Sequence, residues 1–331
     1  MRIVVAPDKF RGTVTASECA AALAGPLREA GHEVVVRPMA DGGEGSLEAL
    51  GGPNRRTVVT GPNGDPVEAE WRYSARSAVI EMARASGLAL AGGAEENDAV
   101  AASTYGTGEL IAAALDAGAT DVVVGVGGSA TTDGGLGALR ALYPVHRLKG
   151  VRLTVACDVR TRFVDAARDF AEQKGASAAQ IRLLERRLER LQEVYLEEYG
   201  VDVSELEGAG AAGGLAGGLA CVGGELLSGF DLIAERLDLD ADVEGADLVV
   251  TGEGFLDEES FQGKVVGGMV DMAAHFGVPV VAVVGECFDG ADEWVRTVSL
   301  SARFGRERAM TETAALLAEV APELPGLVAP D

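Results

Sequence analysis

The sequence has few cysteines and lacks the long uninterrupted apolar runs of membrane-spanning proteins. Its four cysteines are widely spaced among 331 residues, which predicts neither a zinc site nor a disulfide framework. No apolar run approaches about 18 residues without a charge or a glycine, which argues against a membrane-spanning helix. The opening segment MRIVVAPDKF has the pattern of a strand rather than of a signal peptide. We therefore expect a cytoplasmic protein.

Positive charge is also scarce. Lys and Arg total 28 against 52 Asp and Glu, the net charge is −24, and only four of the basic residues are lysines. Nucleic acids and anionic membranes are bound by basic patches, so we expect partners of neither kind. A small anionic ligand would need local cations or backbone N–H donors to overcome the overall field.

Length and apolar patterning predict two α/β domains. The chain of 331 residues is longer than a typical single domain, and its 47% hydrophobic content is enough for sizeable cores. Near the N-terminus, apolar runs at 2–6 and 33–38 flank a helix that begins at the capping box Thr15–Glu18. This is the pattern of a β-α-β unit, whose strands are parallel with a right-handed crossover.

The same pattern returns late in the chain, with strands at 247–251 and 279–284 around a helix at 263–276. We therefore predict a discontinuous flavodoxin-like domain, a doubly wound parallel sheet of order 2-1-3-4-5 built from residues 1–60 and 241–331. Residues 61–240 would form a second, inserted α/β domain.

Acids, glycines and cations follow three of the predicted strands. In open parallel sheets, ligands bind beyond the carboxyl ends of the strands, so these residues are expected to meet at one edge. For any one of these strand ends, the alternative to a ligand site is an ordinary polar loop with a turn glycine. The candidate catalytic residues are Asp8, Lys9, Arg11, Asp41, Glu253, Asp257 and Lys264.

A glycine-rich loop at 125–135 follows the apolar strand DVVVGV and leads into a helix around 136–142. Backbone N–H groups and the positive end of a helix dipole are suited to phosphate, although a tight strand-to-helix turn is the alternative. The candidate nucleotide-binding residues in this loop are Gly127, Gly128, Ser129, Ala130, Thr131 and Thr132.

Two patterns resemble dinucleotide-binding fingerprints. The first lies in this same loop, but the ribose-binding acid expected about 20 residues later is missing. The second, which contains Gly210 and Gly213, follows no clear strand. A Walker A motif is absent, so ATP would need a different cradle. Lys174 and Lys264 lie beside glycines, and we include Lys174, Gly210 and Gly213 among the candidate nucleotide-binding residues.

Carboxylates near the phosphate loop are candidate metal ligands. Asp158 follows the strand RLTVAC, and Glu44 lies in the DGGEG segment after the second strand. Mg²⁺ is usually held by one or two acids together with phosphate oxygens and water. No histidine lies in these loops, so a carboxylate is the expected general base.

The chain resembles the bacterial type I glycerate kinases in motifs that occur in family order over nearly its whole length. The matching stretches are APDKFRGTVTASE (6–18), PMADGGEGSLEAL (38–50), VIEMARASGLAL (79–90), STYGTGELIAAAL (103–115), VGVGGSATTDGGLGALRAL (124–142), VACDV (155–159), FAEQKGA (170–176), GAGAAGGLAGGL (208–219) and DLVVTGEGFLDEESFQGKV (247–265).

This resemblance implies an ATP- and Mg²⁺-dependent kinase that phosphorylates D-glycerate in a cleft between two α/β domains, as a monomer or homodimer. The product implied is 2-phosphoglycerate, with 3-phosphoglycerate possible. Lys9 and Arg11 stand where the family often has Ser and Lys, Phe255 where it often has Arg, and Arg160–Arg162 where it commonly has Asn-Pro. The alternatives are a non-catalytic binding protein for a small anion and, less favoured, an NAD-dependent dehydrogenase.

Overall fold

The computed structural model describes residues 1–288 and 290–328, and the elements that follow are those of these residues. The strands are β1 (Arg2–Val5), β2 (Glu33–Val36), β3 (Arg55–Thr60), β4 (Pro66–Ser74), β5 (Ser77–Glu81), β6 (Asp121–Gly125), β7 (Arg152–Ala156), β8 (Gly224–Leu227), β9 (Leu248–Leu256), β10 (Val280–Cys287) and β11 (Arg296–Ser299). No helix among these residues has the length and apolar character that crossing a bilayer requires.

Helices alternate with the strands along most of the chain. They are α1 (Ala16–Glu29), α2 (Ser46–Ala49), α3 (Ala83–Ser86), α4 (Tyr105–Asp116), α5 (Leu136–Ala141), α6 (Ala166–Phe170), α7 (Ala178–Tyr199), α8 (Ala211–Ala220), α9 (Gly229–Leu237), α10 (Leu239–Glu244), α11 (Val265–Phe276), α12 (Leu300–Phe304), α13 (Arg306–Thr311) and α14 (Thr313–Val320). Short 3-10 turns cover Val145–Leu148, Glu172–Lys174, Glu258–Phe261, Ala291–Glu293 and Ala321–Leu327.

The chain forms two compact units. The first contains Met1–Asp41, Glu48–Leu50 and the chain from Gly229 onwards, and the second contains Gly42–Leu47 and Gly51–Ser228. The bounds of these units differ from the predicted ones, which placed the domain boundaries after residues 60 and 240. The difference arises because β3 pairs with β4 in the second sheet and α9 packs in the core of the first unit.

The first unit is built on a parallel sheet in the order β11-β10-β9-β1-β2. Numbered along the chain within this sheet, the order is 2-1-3-4-5, so the predicted fold class is confirmed. Neighbouring residues of β1 point to opposite faces, as strand geometry requires. Ile3 and Val5 pack with α1 and α14, whereas Val4 and Ala6 pack with α9, α10 and α11.

The second unit has a mixed sheet in the order β3-β4-β5-β6-β7-β8. The pairs from β3 to β5 are antiparallel and those from β5 to β8 are parallel. One face is covered by α4, α5 and α8. The long helix α7 begins at the predicted capping box of Ser177 and Gln180, and it buries Leu184, Leu188 and Tyr195 in a core with α6.

Strand β9 is longer than the pattern predicts, and this changes where its polar residues lie. The apolar run suggests an end at residue 251, but β9 stays paired with β10 through Leu256 opposite Cys287. Glycines allow the extension, because a Cβ on Gly252 would collide with the carbonyl oxygen of Val283. Glu253 therefore projects from a strand rather than from a loop.

Candidate functional site

The turn after β1 packs along β9 in the first unit. The backbone N–H of Asp8 donates to the carbonyl oxygen of Gly252 at 2.8 Å. A Cβ on Gly254 would lie 3.2 Å from the backbone nitrogen of Arg11, so glycine at this position allows the close approach. The first and third predicted strand ends thus meet, as the sequence suggests.

Lys9 lies between two buried carboxyl groups. Its Nζ is 3.9 Å from Asp8 Oδ1 and 3.9 Å from Asp41 Oδ1. Asp8 is 8% exposed and Asp41 is 9% exposed. The pKa of Asp8 is raised to about 6. Burial is the largest cause, the charge of Lys9 opposes it, and the negative charge of Asp41 adds to the rise. The end of β2 is thereby joined to the same cluster.

Glu253 is the most perturbed acid of the cluster. The pKa of its carboxyl is raised to about 7. Burial is the largest cause, a hydrogen bond with the Ser260 side chain opposes it, and the nearby charge of Asp8 adds to the rise. Its Oε1 is buried without a hydrogen-bond partner among the described residues. An unpartnered buried oxygen is uncommon and marks a position where a ligand group or water can bind.

The remaining candidates of the first unit differ in their roles. Lys264 precedes α11, lowers the pKa of Glu253 by its charge, and has its Nζ 3.4 Å from exposed Glu259. Arg11 is exposed in the first turn, and its charge lowers the pKa of Asp8. Asp257 instead caps the 3-10 turn Glu258–Phe261, where its Oδ1 accepts from the backbone N–H of Ser260 at 3.0 Å. Its carboxylate is thus already used locally.

The glycine-rich loop of the second unit is held by strand-like pairing. The carbonyl oxygen of Gly128 accepts from Leu88 N at 2.9 Å, and Ala130 N donates to Ser86 O at 3.0 Å. Ser129, Ala130, Thr131 and Thr132 are all buried, whereas Gly128 is exposed with a positive φ of 70°. The backbone at Gly127–Gly128 is therefore the part of this loop that a ligand can reach.

The expected anion site at the start of α5 is occupied by a side chain of the chain itself. Asp133 accepts from the backbone N–H groups of Gly135 at 3.1 Å and Gly137 at 3.2 Å, and it also accepts from Thr104. A carboxylate there satisfies the helix N-terminus. The helix dipole is therefore not available to a phosphate, contrary to the sequence-based expectation.

Lys174 lies beneath the same loop, with only 3% of its surface exposed. Its Nζ donates to the carbonyl oxygen of Thr131 at 2.7 Å. The Asn97 amide donates to Ala130 O at 3.0 Å and to Lys174 O at 2.8 Å. Burial lowers the pKa of Lys174 to about 7, while the charge of Asp133 opposes this. Lys174 thus supports the loop from behind.

Gly210 and Gly213 allow close packing. A Cβ on Gly213 would collide with the carbonyl oxygen of Thr131, and one on Gly210 with that of Arg162. Gly213 also has a positive φ of 68° within a left-handed stretch of α8. Gly213 therefore packs its backbone directly on the glycine-rich loop, whereas Gly210 packs on the segment that contains Arg162.

The two candidate metal ligands lie on different segments of the second unit. Glu44 is exposed on Gly42–Leu47, and Asp158 is half-buried after β7, where its charge contributes to raising the pKa of Cys157. Within residues 1–288 and 290–328, no group of three or more His, Cys, Asp or Glu is placed to hold a metal ion.

Sequence reasoning did not identify Glu81, Asn97 and Asp133 as site residues. Glu81 ends the apolar run AVIE of β5 and is 2% exposed. A carboxylate at the end of a buried strand is the signal that could have identified it, by the same rule that selected Asp8. Asn97 and Asp133 lie in polar loops, where nothing local indicates their long-range partners.

Comparison with known proteins places the chain among named relatives. The model of the Glycerate kinase family matches residues 3–143 and 144–328. The chain is similar to the glycerate 2-kinase of Escherichia coli strain K12, at 39% identity over 87% of this chain and 86% of that protein. It is also similar to the glycerate kinase of Bacillus subtilis strain 168, at 37% identity over 86% of this chain and 85% of that one. A crystal structure of putative glycerate kinase 2 from Salmonella typhimurium LT2 has a TM-score of 0.83 and 32% identity, with 98% of each chain covered.

Proposed function

Because the chain belongs to the glycerate kinase family, and is therefore a phosphotransferase that acts on an alcohol group, we propose that it transfers the γ-phosphoryl group of ATP to D-glycerate. The observation that supports this most strongly is the cluster of Asp8, Lys9, Asp41 and Glu253. In this cluster Lys9 lies between Asp8 and Asp41, and the pKa values of Asp8 and Glu253 are raised. We favour 2-phosphoglycerate as the product, since the Escherichia coli relative is named a glycerate 2-kinase.

Glu253 is proposed as the general base. As the glycerate hydroxyl oxygen bonds to the γ-phosphorus, its proton passes to the Glu253 carboxylate, and the bond from that phosphorus to the β,γ-bridging oxygen breaks to release ADP. A base is most effective when its pKa lies near the working pH, and burial raises that of Glu253 to about 7. Its unpartnered Oε1 is the atom proposed to receive the proton.

Lys9, Arg11 and Lys264 are proposed to neutralise the anions of the reaction. Phosphoryl transfer depends mainly on positioning and on stabilising charge on the transferred group, so cations beside the base serve both needs. Lys9 is held by Asp8 and Asp41, which limits its motion. Arg11 is exposed and suits the glycerate carboxylate, because a guanidinium can bind a carboxylate through two hydrogen bonds.

The backbone of Gly127–Gly128 is proposed to bind the ATP phosphates in the second unit. Successive backbone N–H groups around a residue of positive φ form concave anion sites, and Gly128 has such a φ. In this proposal Lys174, Asn97 and Gly213 fix the loop from behind rather than touch the nucleotide.

Mg²⁺ is proposed to accompany ATP, with Asp158 and Glu44 as its candidate protein ligands. Mg²⁺ usually takes only one or two protein carboxylates beside phosphate oxygens and water, and these two acids would supply them. When bound, the ion would neutralise charge on the phosphate oxygens. A cytoplasmic location and a monomeric or homodimeric state stay predictions from the sequence.

The decisive experiment incubates the purified protein with D-glycerate, ATP and Mg²⁺, and identifies the product by phosphorus NMR. We expect ADP and 2-phosphoglycerate in equal amounts. A 3-phosphoglycerate signal would correct the position of transfer but keep the kinase. Binding of glycerate without ADP formation would replace the proposal with the small-anion-binding alternative.

The Glu253→Gln variant tests the proposed base, and Glu259→Gln serves as its matched control. Both remove one carboxylate near Lys264, but Glu259 is exposed. We expect turnover to fall by about a hundredfold or more in the first variant, the range for loss of a general base. Equal turnover in the two variants would assign the base elsewhere.

A further inference from the structure

Glu81 holds a backbone segment that carries candidate site residues. Its carboxylate is 2% exposed at the end of β5. Its Oε1 accepts from the backbone N–H of Gly45 at 2.9 Å and of Leu47 at 2.8 Å. Its Oε2 accepts from Arg84 Nε at 3.3 Å. Hydrogen bonds to an ionised acceptor are among the stronger ones in proteins.

The segment held by Glu81, Gly42–Leu47, packs directly on the glycine-rich loop. A Cβ on Gly125 would lie 2.6 Å from the carbonyl oxygen of Gly42, and one on Gly127 would lie 2.6 Å from the Cα of Gly43. Glu81 and Gly125 are paired neighbours in β5 and β6. The carboxylate therefore stands beside the strand end that leads into the proposed phosphate loop.

The same segment contains Glu44 and directly follows Asp41. Gly42 and Gly45 both have positive φ, at 88° and 105°, which any other residue would strain to adopt. Such a segment has little intrinsic preference for one conformation, because glycine leaves the unfolded backbone many alternatives. The contacts of Glu81 are therefore well placed to select the conformation observed.

We propose that Glu81 is a positioning residue for phosphoryl transfer, which fixes Gly42–Leu47 against the glycine-rich loop so that Glu44 keeps its working position. This inference rests on the proposed function. In the proposed phosphoryl transfer, Glu81 touches no reacting group and acts only through the backbone of Gly45 and Leu47. A displacement of about 1 Å in a site of this kind reduces turnover by up to about a hundredfold.

The test compares Glu81→Gln with Glu109→Gln. Glu109 is a matched control, because it also accepts a hydrogen bond from a backbone N–H, that of Thr60 at 2.6 Å, within the same unit. Two readouts are needed: hydrogen exchange of a peptide covering residues 42–50, and kcat and KM for both substrates, normalised to folded protein. Glu81→Asp keeps the charge but shortens the side chain, and it should restore part of the turnover.

We expect faster exchange in residues 42–47 and a kcat lower by about tenfold to a hundredfold in Glu81→Gln, with neither effect in Glu109→Gln. Unchanged exchange, or faster exchange with normal kcat, would overturn the positioning role. Should Glu81→Gln not fold, Glu81→Asp is measured in its place, because the shorter side chain draws the carboxylate away from the backbone N–H groups of Gly45 and Leu47. Normal exchange and normal kcat in Glu81→Asp would then overturn the positioning role.

The two hypotheses fail in different ways. A wild-type protein that forms no phosphoglycerate would refute the proposed function and, with it, any positioning role in that reaction. An active wild type with a normal Glu81→Gln variant would refute only the inference about Glu81.

Discussion

Replacing Glu253 with glutamine should stabilise the folded protein at alkaline pH while it removes catalysis. The pKa of Glu253 rises from the ordinary 4.5 to about 7, chiefly because the ionised carboxylate is buried, and its Oε1 has no hydrogen-bond partner among the described residues. At about 1.4 kcal/mol per pH unit, the difference corresponds to about 3 kcal/mol against the ionised folded state. Glutamine has a similar volume and no charge, so most of this penalty should disappear.

The sign of the pH dependence follows from proton binding. Below pH 4.5 Glu253 is protonated in both the folded and the unfolded chain and contributes nothing. Between pH 4.5 and about 7 the folded protein holds a proton that the unfolded chain has lost, so wild-type stability falls as pH rises through this window. The advantage of the variant should grow from about 1 kcal/mol at pH 5.5 to about 3 kcal/mol at pH 8.

Urea unfolding at these two pH values, followed by circular dichroism, measures the effect. Glu259→Gln is again the control, because an exposed carboxylate contributes little to stability. An advantage of Glu253→Gln that does not depend on pH, or a variant less stable than wild type at pH 8, would refute the reasoning from burial. Activity lost together with stability gained would show that the site keeps an unfavourable charge for its chemistry.

Three further substitutions test the two groups of candidate residues. Lys174→Met removes the ammonium that holds Thr131 O and should raise the KM for ATP by about tenfold, as steady-state kinetics can measure. Lys264→Ala should lower kcat by two or more orders of magnitude with an unchanged circular dichroism spectrum, since it removes a cation beside Glu253. Gly213→Ala should destabilise the protein by about 3 kcal/mol or more, because its Cβ would strike Thr131 O at a positive φ.

Each substitution has a contradicting outcome, and Lys174→Met and Gly213→Ala also have matched controls. Lys149→Met, at an exposed lysine, should leave the KM for ATP unchanged, and an equal rise in both variants would remove Lys174 from the argument. Near-normal kcat in Lys264→Ala would exclude that lysine. Gly223→Ala shares the positive φ but has open space around its Cβ, so it should destabilise by only about 1 kcal/mol. Equal effects at the two glycines would show that the contact with Thr131 is not tight.

The sequence predicted those features that depend on local pattern. Apolar runs such as that of β1 identified the strands, and the capping boxes at Thr15 and Ser177 correctly placed the starts of α1 and α7. The order of the first sheet followed from the doubly wound connectivity of the two chain segments that build it. The convergence of Asp8, Asp41 and Glu253 followed in turn, because parallel strands end at the same edge.

Features that depend on distant partners could not be predicted. Lys174 meets Thr131 across 43 positions in the sequence, and Glu81 meets Gly45 across 36. A glycine-flanked lysine has the same local pattern whether it faces a phosphate or lies beneath a loop. The carboxylate of Asp133 is similarly ambiguous, and only the fold shows that it occupies the helix end expected to attract a phosphate.

The overall charge of −24 says little about how this chain meets anionic substrates, because the relevant charge is local. Lys9 lies between Asp8 and Asp41, and burial leaves Glu253 protonated in a large fraction of molecules near pH 7. A protonated Glu253 opposes an arriving anion less, yet it must lose that proton before it can accept one from a hydroxyl group. A pKa near 7 balances the two requirements. The burial that destabilises the ionised carboxylate therefore also sets the pH range in which the proposed reaction can run.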